Sequence, residues 1–114
     1  MHFEIPAVTS SQNPWDRMHW TQRSAQKEHW FWLIRATMGV QETSAKKRLL
    51  HIVRVSKRLI DDQNVPSGCK YLVDALVEFG HLYKDSRNWT RITFDQRKCG
   101  KDEQPHMEVT ISEE

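Results

Sequence analysis

The chain has 114 residues, 38% of them apolar, with 17 basic and 15 acidic side chains and a formal net charge of +2. This length predicts one domain, residues 1–114. A mean hydropathy of −0.74, with no apolar run near the roughly 18 to 20 residues of a membrane span, predicts a soluble protein without a membrane partner.

The opening MHFEIPAV has no basic stretch followed by an apolar one, so no signal peptide is expected. Residues 2–8 fit a short first strand and residues 10–14 a polar turn. Residues 21–40 carry the helical period, with Trp30, Leu33, Ile34, Thr37 and Met38 on one side. Phe31 and Trp32 widen that apolar face, for a deep core contact or a subunit interface. Residues 47–60 read as a strand, with His51, Val53 and Val55 on one face and Leu50, Ile52 and Arg54 on the other. A second helix is expected from Pro66 and Ser67, through Tyr71, Leu72, Leu76, Val77 and Phe79, to a terminator at Gly80. Residues 89–96 and 106–112 alternate as two further strands. The order strand, helix, strand, helix, strand, strand predicts an α+β fold, a small mixed sheet with two packed helices.

The near-neutral total hides a segregated charge. Lys46, Lys47, Arg48, Arg54, Lys57 and Arg58 lie in residues 46–58 without an acid, and Arg17, Arg23 and Lys27 accompany His19 in residues 17–27. Arg17, His19, Arg23, Lys27, Lys46, Lys47, Arg54, Lys57 and Arg58 are therefore candidate phosphate contacts for a nucleic acid. Trp15 and Trp20 are candidate base-stacking residues, with core packing the plainer expectation.

Asp61-Asp62-Gln63-Asn64 follows the basic stretch at once. In an extended segment Asp61 and Gln63 point the same way, about 7 Å apart, and Asp62 points oppositely. A strand that ends or bulges at residue 61 would remove that parity and let Asp62 supply a carboxylate there. Lys70 and Asp74 are helix-surface neighbours, and Asp85, just past the helix, is expected to return toward the acidic segment. Carboxylates from two segments beside a lysine suit metal-assisted phosphodiester hydrolysis. Cys69 and Cys99 form no C-x-x-C pair and read as structural or surface thiols in a reducing, cytoplasmic chain. No pair of histidines reads as a zinc site with a cysteine or glutamate, and the chain has no phosphate-cradling glycine loop, so neither zinc nor a nucleotide cofactor is expected.

The run Leu59-Ile-Asp-Asp-Gln-Asn64, with Gly68-Cys69-Lys70, Val73-Asp74-Ala75-Leu76, Phe79-Gly80 and Asp85-Ser86, resembles the RusA family of Holliday junction resolvases. That family carries Asp-x-Asp-Asn, a lysine four residues before Asp-Ala-Leu, then a glycine and an Asp-Asp pair. The resemblance implies a homodimeric, magnesium-dependent endodeoxyribonuclease that nicks four-way DNA junctions symmetrically, in a bacterial or phage-infected cell. It assigns catalytic roles to Asp61, Lys70 and Asp85, with Asp62 as the substitute carboxylate, and a magnesium site to Asp61, Asp62, Gln63 and Asp85. Gln63 stands where the family has an aspartate, and Lys84 replaces the first member of the later pair. An amide at 63 keeps an oxygen ligand but loses a charge, which weakens magnesium binding. A two-fold dimer also matches the approximate symmetry of a four-way junction. Two other readings follow from the same residues: a junction-binding protein without cleavage, and a small regulatory interaction protein.

Overall fold

The computed structural model describes residues 1–9 and 20–114, and the side chains of all of these except Trp20. Arg17, His19, Trp15, the turn expected at 10–14 and the side chain of Trp20 lie outside the described residues. The elements are β1 (His2–Ile5), α1 (Trp20–Met38), β2 (Arg48–Ser56), α2 (Asn64–Gly68), α3 (Lys70–Glu78), β3 (Thr90–Lys98) and β4 (His106–Glu113). The strands form one mixed sheet in the order β1-β4-β2-β3. β1 pairs with β4 and β4 with β2 antiparallel, whereas β2 and β3 are parallel and joined through α2 and α3. The fold is α+β, as expected, but with three helices among the described residues where two were expected.

The break between α2 and α3 explains the difference. Pro66 is tolerated in the first turn because its missing N–H has no intrahelical partner there. Cys69, after Gly68, adopts φ −90° and ψ 3°, its N–H donating to the Pro66 carbonyl at 3.1 Å before α3 begins. The joint is anchored by complete burial of Cys69.

Alternation decides the sheet's faces. Leu50 and Ile52 of β2, with Met107, Val109 and Ile111 of β4, are buried with Trp30, Leu33, Ile34 and Met38 of α1 and Leu72, Ala75 and Leu76 of α3. These apolar side chains make one core, between the sheet and its helices. Phe31 belongs to it too, packing edge to face on Phe79 with centroids 5.8 Å apart, while Trp32 is left 67% exposed. The opposite face carries His51, bonded to Thr93 at 2.6 Å, and His2, bonded to Thr110 at 2.8 Å.

α3 ends where expected. Gly80 takes φ +83°, and a Cβ there would fall 2.0 Å from the Gln41 carbonyl oxygen, so only glycine admits the strand-bound chain of residues 39–41 so close. No helix among the described residues is long and apolar enough to cross a membrane.

Candidate functional site

The expected strand over 47–60 stops at Ser56, so strand parity does not govern Asp61 and Gln63. Residues 61–63 instead form a turn into α2, with the Asn64 and Val65 N–H groups donating to the Asp61 and Asp62 carbonyls at 2.9 and 3.3 Å. Asp61, Asp62 and Gln63 are all exposed. The turn is held by Gln96 of β3, whose Nε2 donates to the Ile60 carbonyl and to Asp62 Oδ1, both at 2.6 Å. Its Oε1 accepts the Ile60 N–H at 3.1 Å. Asp95, next to Gln96, joins Asp62, Val65 and Phe94 in lining a small cavity of about 210 Å³.

Neither Asp95 nor Gln96 stands out in the sequence. Their role depends on β3 pairing in register with β2, which brings residues 34 positions apart in sequence into contact. The only local signal is an acid and an amide closing an alternating run.

Asp85 is not brought to this turn within one chain. The Trp89 and Thr90 N–H groups donate to the Ser86 carbonyl at 3.0 and 2.9 Å, and the Thr90 hydroxyl donates to the Lys84 carbonyl, so residues 84–86 fold onto the first residue of β3. Gln96 lies six residues further along that strand, about 20 Å at the rise of extended chain. The expectation that Asp85 returns to the acidic segment fails because β2 and β3 are parallel, so the crossover through α2 and α3 must carry the chain from the end of β2 back to the start of β3. Lys70 opens α3 and pairs with Asp74 at 3.7 Å, the neighbour relation expected one helical turn apart.

The candidate phosphate contacts divide into three groups. Lys57 and Arg58 are exposed just past β2, at the same end of the sheet as the acidic turn, and Lys98 closes β3 opposite Ser56. Lys46 and Lys47 lie at the other end of β2. Lys46 pairs with Glu113 at 3.3 Å, as Arg48 does at 3.1 Å, and Lys47 shares a cavity of about 520 Å³ with Arg87 and Arg91. On α1, Arg23 is half-buried and Lys27 sits over the Phe31 ring, 5.4 Å from its centroid.

Arg54 is a correction. It points into the helix side of the sheet and is 6% exposed, so it is not available to a phosphate backbone. Its Nε and Nη2 donate to the Thr9 carbonyl at 3.4 and 3.3 Å, and Nη1 donates to the Arg58 carbonyl at 3.3 Å. Burial lowers its guanidinium from the usual arginine range, against the raising influence of Cys69. Burial also pushes the Cys69 thiol up to about 12, opposed by a hydrogen bond with Thr9 and by the Arg54 charge. A thiol so protonated is a packing group, in agreement with its structural reading.

Among the described residues, the group of three histidine, cysteine or carboxylate side chains whose ligand atoms lie within 4.8 Å of one another is His2, Glu4 and Glu108, on β1 and β4. Asp61, Asp62 and Asp85 form no such group. No protein-family model matches the chain, and no curated protein matches it closely enough to count as a relative. The class defined by the structure is therefore architectural: an α+β domain that, among the described residues, has a four-stranded mixed sheet covered on one face by three helices.

Proposed function

We propose that this chain is a magnesium-dependent endodeoxyribonuclease of the RusA kind, acting in the cytoplasm as a homodimer and resolving four-way DNA junctions by paired nicks. The observation that carries this reading is the exposed pair Asp61 and Asp62 on a turn clamped by Gln96, with the exposed cations Lys57 and Arg58 at the same end of the sheet.

The donor set suits magnesium. Asp61, Asp62 and the Gln63 amide offer hard oxygens, and Asp62 keeps Oδ2 for a ligand while Oδ1 is held by Gln96. Bound magnesium supplies activation of water and neutralisation of charge on the leaving oxygen. The chain's own residues fix the position of that centre through Gln96, and Lys57 and Arg58 draw the phosphate backbone toward it.

A second reading, a junction-binding protein without cleavage, is favoured by the distance of Asp85 from the turn within one chain and by the uncharged Gln63. The deciding experiment is incubation of a synthetic four-way junction and a linear duplex with the wild type, Asp62→Asn and Asp85→Asn, with and without magnesium. Junction-specific, magnesium-dependent product that falls at least 100-fold in Asp62→Asn supports the nuclease. Junction binding without product selects the binding protein. Absence of both leaves the regulatory reading.

A further inference from the structure

The open face of the sheet carries a sequence pattern that the acidic turn does not use. His2-Phe3-Glu4 and His106-Met107-Glu108 are two His-x-Glu triplets, and in strands residues two apart share a face. β1 and β4 are antiparallel neighbours with Glu4 directly opposite Glu108 and His2 opposite Thr110. The two triplets therefore meet by their glutamate ends, two carboxylates in the middle and one imidazole on each diagonal. Like charges opposed across a strand pair are destabilising unless something positive lies between them.

The imidazoles are oriented for that role. Thr110 Oγ1 lies 2.8 Å from His2 Nδ1 and turns the ring so that Nε2 faces Glu108 Oε1 at 3.7 Å. His106 is 9% exposed, and its Nδ1 lies 2.9 Å from the Gln104 carbonyl. A carbonyl only accepts, so Nδ1 carries a proton and donates, which leaves Nε2 as the ring atom that faces the carboxylates. That buried atom has no hydrogen-bond partner, yet it stands 3.4 Å from Glu108 Oε2 and 4.0 Å from Glu4 Oε1. Two carboxylates and an unpartnered ring nitrogen that converge on one place call for a positive charge among them. Arg97 meets only one edge of the group, donating to Glu108 Oε2 at 3.1 Å, and is also held by Glu103 at 2.7 Å.

We propose that His2, Glu4 and Glu108, with His106 beside that group as the fourth ligand, form a binding site for a divalent transition-metal ion, zinc above the others. Two imidazoles with two carboxylates are a zinc-type donor set, softer than the all-oxygen sets that magnesium and calcium prefer. With both Nδ1 atoms protonated, donation to Thr110 Oγ1 and to the Gln104 carbonyl holds the two rings and leaves each Nε2 as a ligand atom, as the outer partners of metal-bound histidines commonly do. Glu4 and His106 also line a cavity of about 670 Å³, which gives a bound ion access to water or to a further ligand. The proposal departs from the expectation of no zinc. The pairing of the triplets is invisible until β1 and β4 are placed side by side.

The test is titration of Zn²⁺ into the full chain in competition with a chromophoric chelator, with Co²⁺ absorption in the visible as a second readout of the ligand set. The variants are His2→Ala, at a half-exposed surface position, His106→Ala, and an Asp61→Asn/Asp62→Asn control. One equivalent of Zn²⁺ bound by the wild type and the control, weakened at least tenfold in each histidine variant and accompanied by Co²⁺ bands that the variants lose, is the expected result. No saturable Zn²⁺ binding by the wild type overturns the proposal and makes a proton the charge between these groups. Binding unchanged in His2→Ala overturns it equally, and binding lost in the control moves the ion to the acidic turn.

Discussion

Gln96 holds Asp62. Its side-chain amide donates to the Asp62 carboxylate and the Ile60 carbonyl and accepts from the Ile60 N–H, fastening an exposed acidic turn to an edge strand. Replacing it by alanine leaves both Ile60 backbone groups without their partner and releases the carboxylate. Gln96→Ala is expected to cost about 1–2 kcal/mol in urea denaturation. If the turn is the metal centre, the magnesium needed for half-maximal junction cleavage rises as well; stability lost with metal dependence unchanged would place the chemistry elsewhere.

Arg54 and Arg58 are four residues apart with opposite fates, one buried against carbonyls and the other exposed. Arg54→Met strips the Thr9 and Arg58 carbonyls of their donors and is expected to destabilise the chain by about 2–3 kcal/mol while leaving the salt dependence of DNA binding unaltered. Lys57→Ala with Arg58→Ala should do the reverse, with little change in melting and a salt slope flatter by about 0.9 for each phosphate no longer neutralised. An unaltered slope in that pair would remove this end of the sheet from the DNA interface.

With its thiol pushed up to about 12 by burial, Cys69 is expected to resist alkylation in the folded chain. At pH 8 the thiol stays protonated, and it is out of reach of reagent. Cys99, half-buried in the loop after β3, should label first. Mass spectrometry after iodoacetamide treatment, with and without denaturant, reads both sites; rapid labelling of native Cys69 would contradict its burial.

Glu103 and Arg97 form a bidentate pair, with oxygen to nitrogen distances of 2.7 and 2.9 Å. The hydrogen bond from Arg97, then that from the Gly100 N–H, holds the Glu103 carboxyl down at about 2. Its folded pKa is thus below its unfolded one, so the pair's contribution is present above the usual glutamate range, near pH 4.3, and is lost as pH falls toward 2. Between those limits the stability of Glu103→Gln is expected to fall less steeply than that of the wild type. Because the pair is exposed, 1 M salt should narrow the difference, and parallel acid profiles at low salt would refute the assignment.

The sequence by itself determined the helical stripe of α1, the alternating faces of β2 and the stop at Gly80. Each depends on periods and backbone conformations set by neighbours a few residues away. It also marked Asp61 and Asp62 as an exposed acidic focus beside basic residues. Only the tertiary structure decided that β2 ends before that focus, that Arg54 turns inward, and that Asp85 lies at the far end of β3. Strand pairing alone joins Gln96 to Asp62 and lays His2-Phe3-Glu4 against His106-Met107-Glu108. Those partners are separated by long stretches of chain, and local periodicity holds no information about which strands become neighbours or in what register.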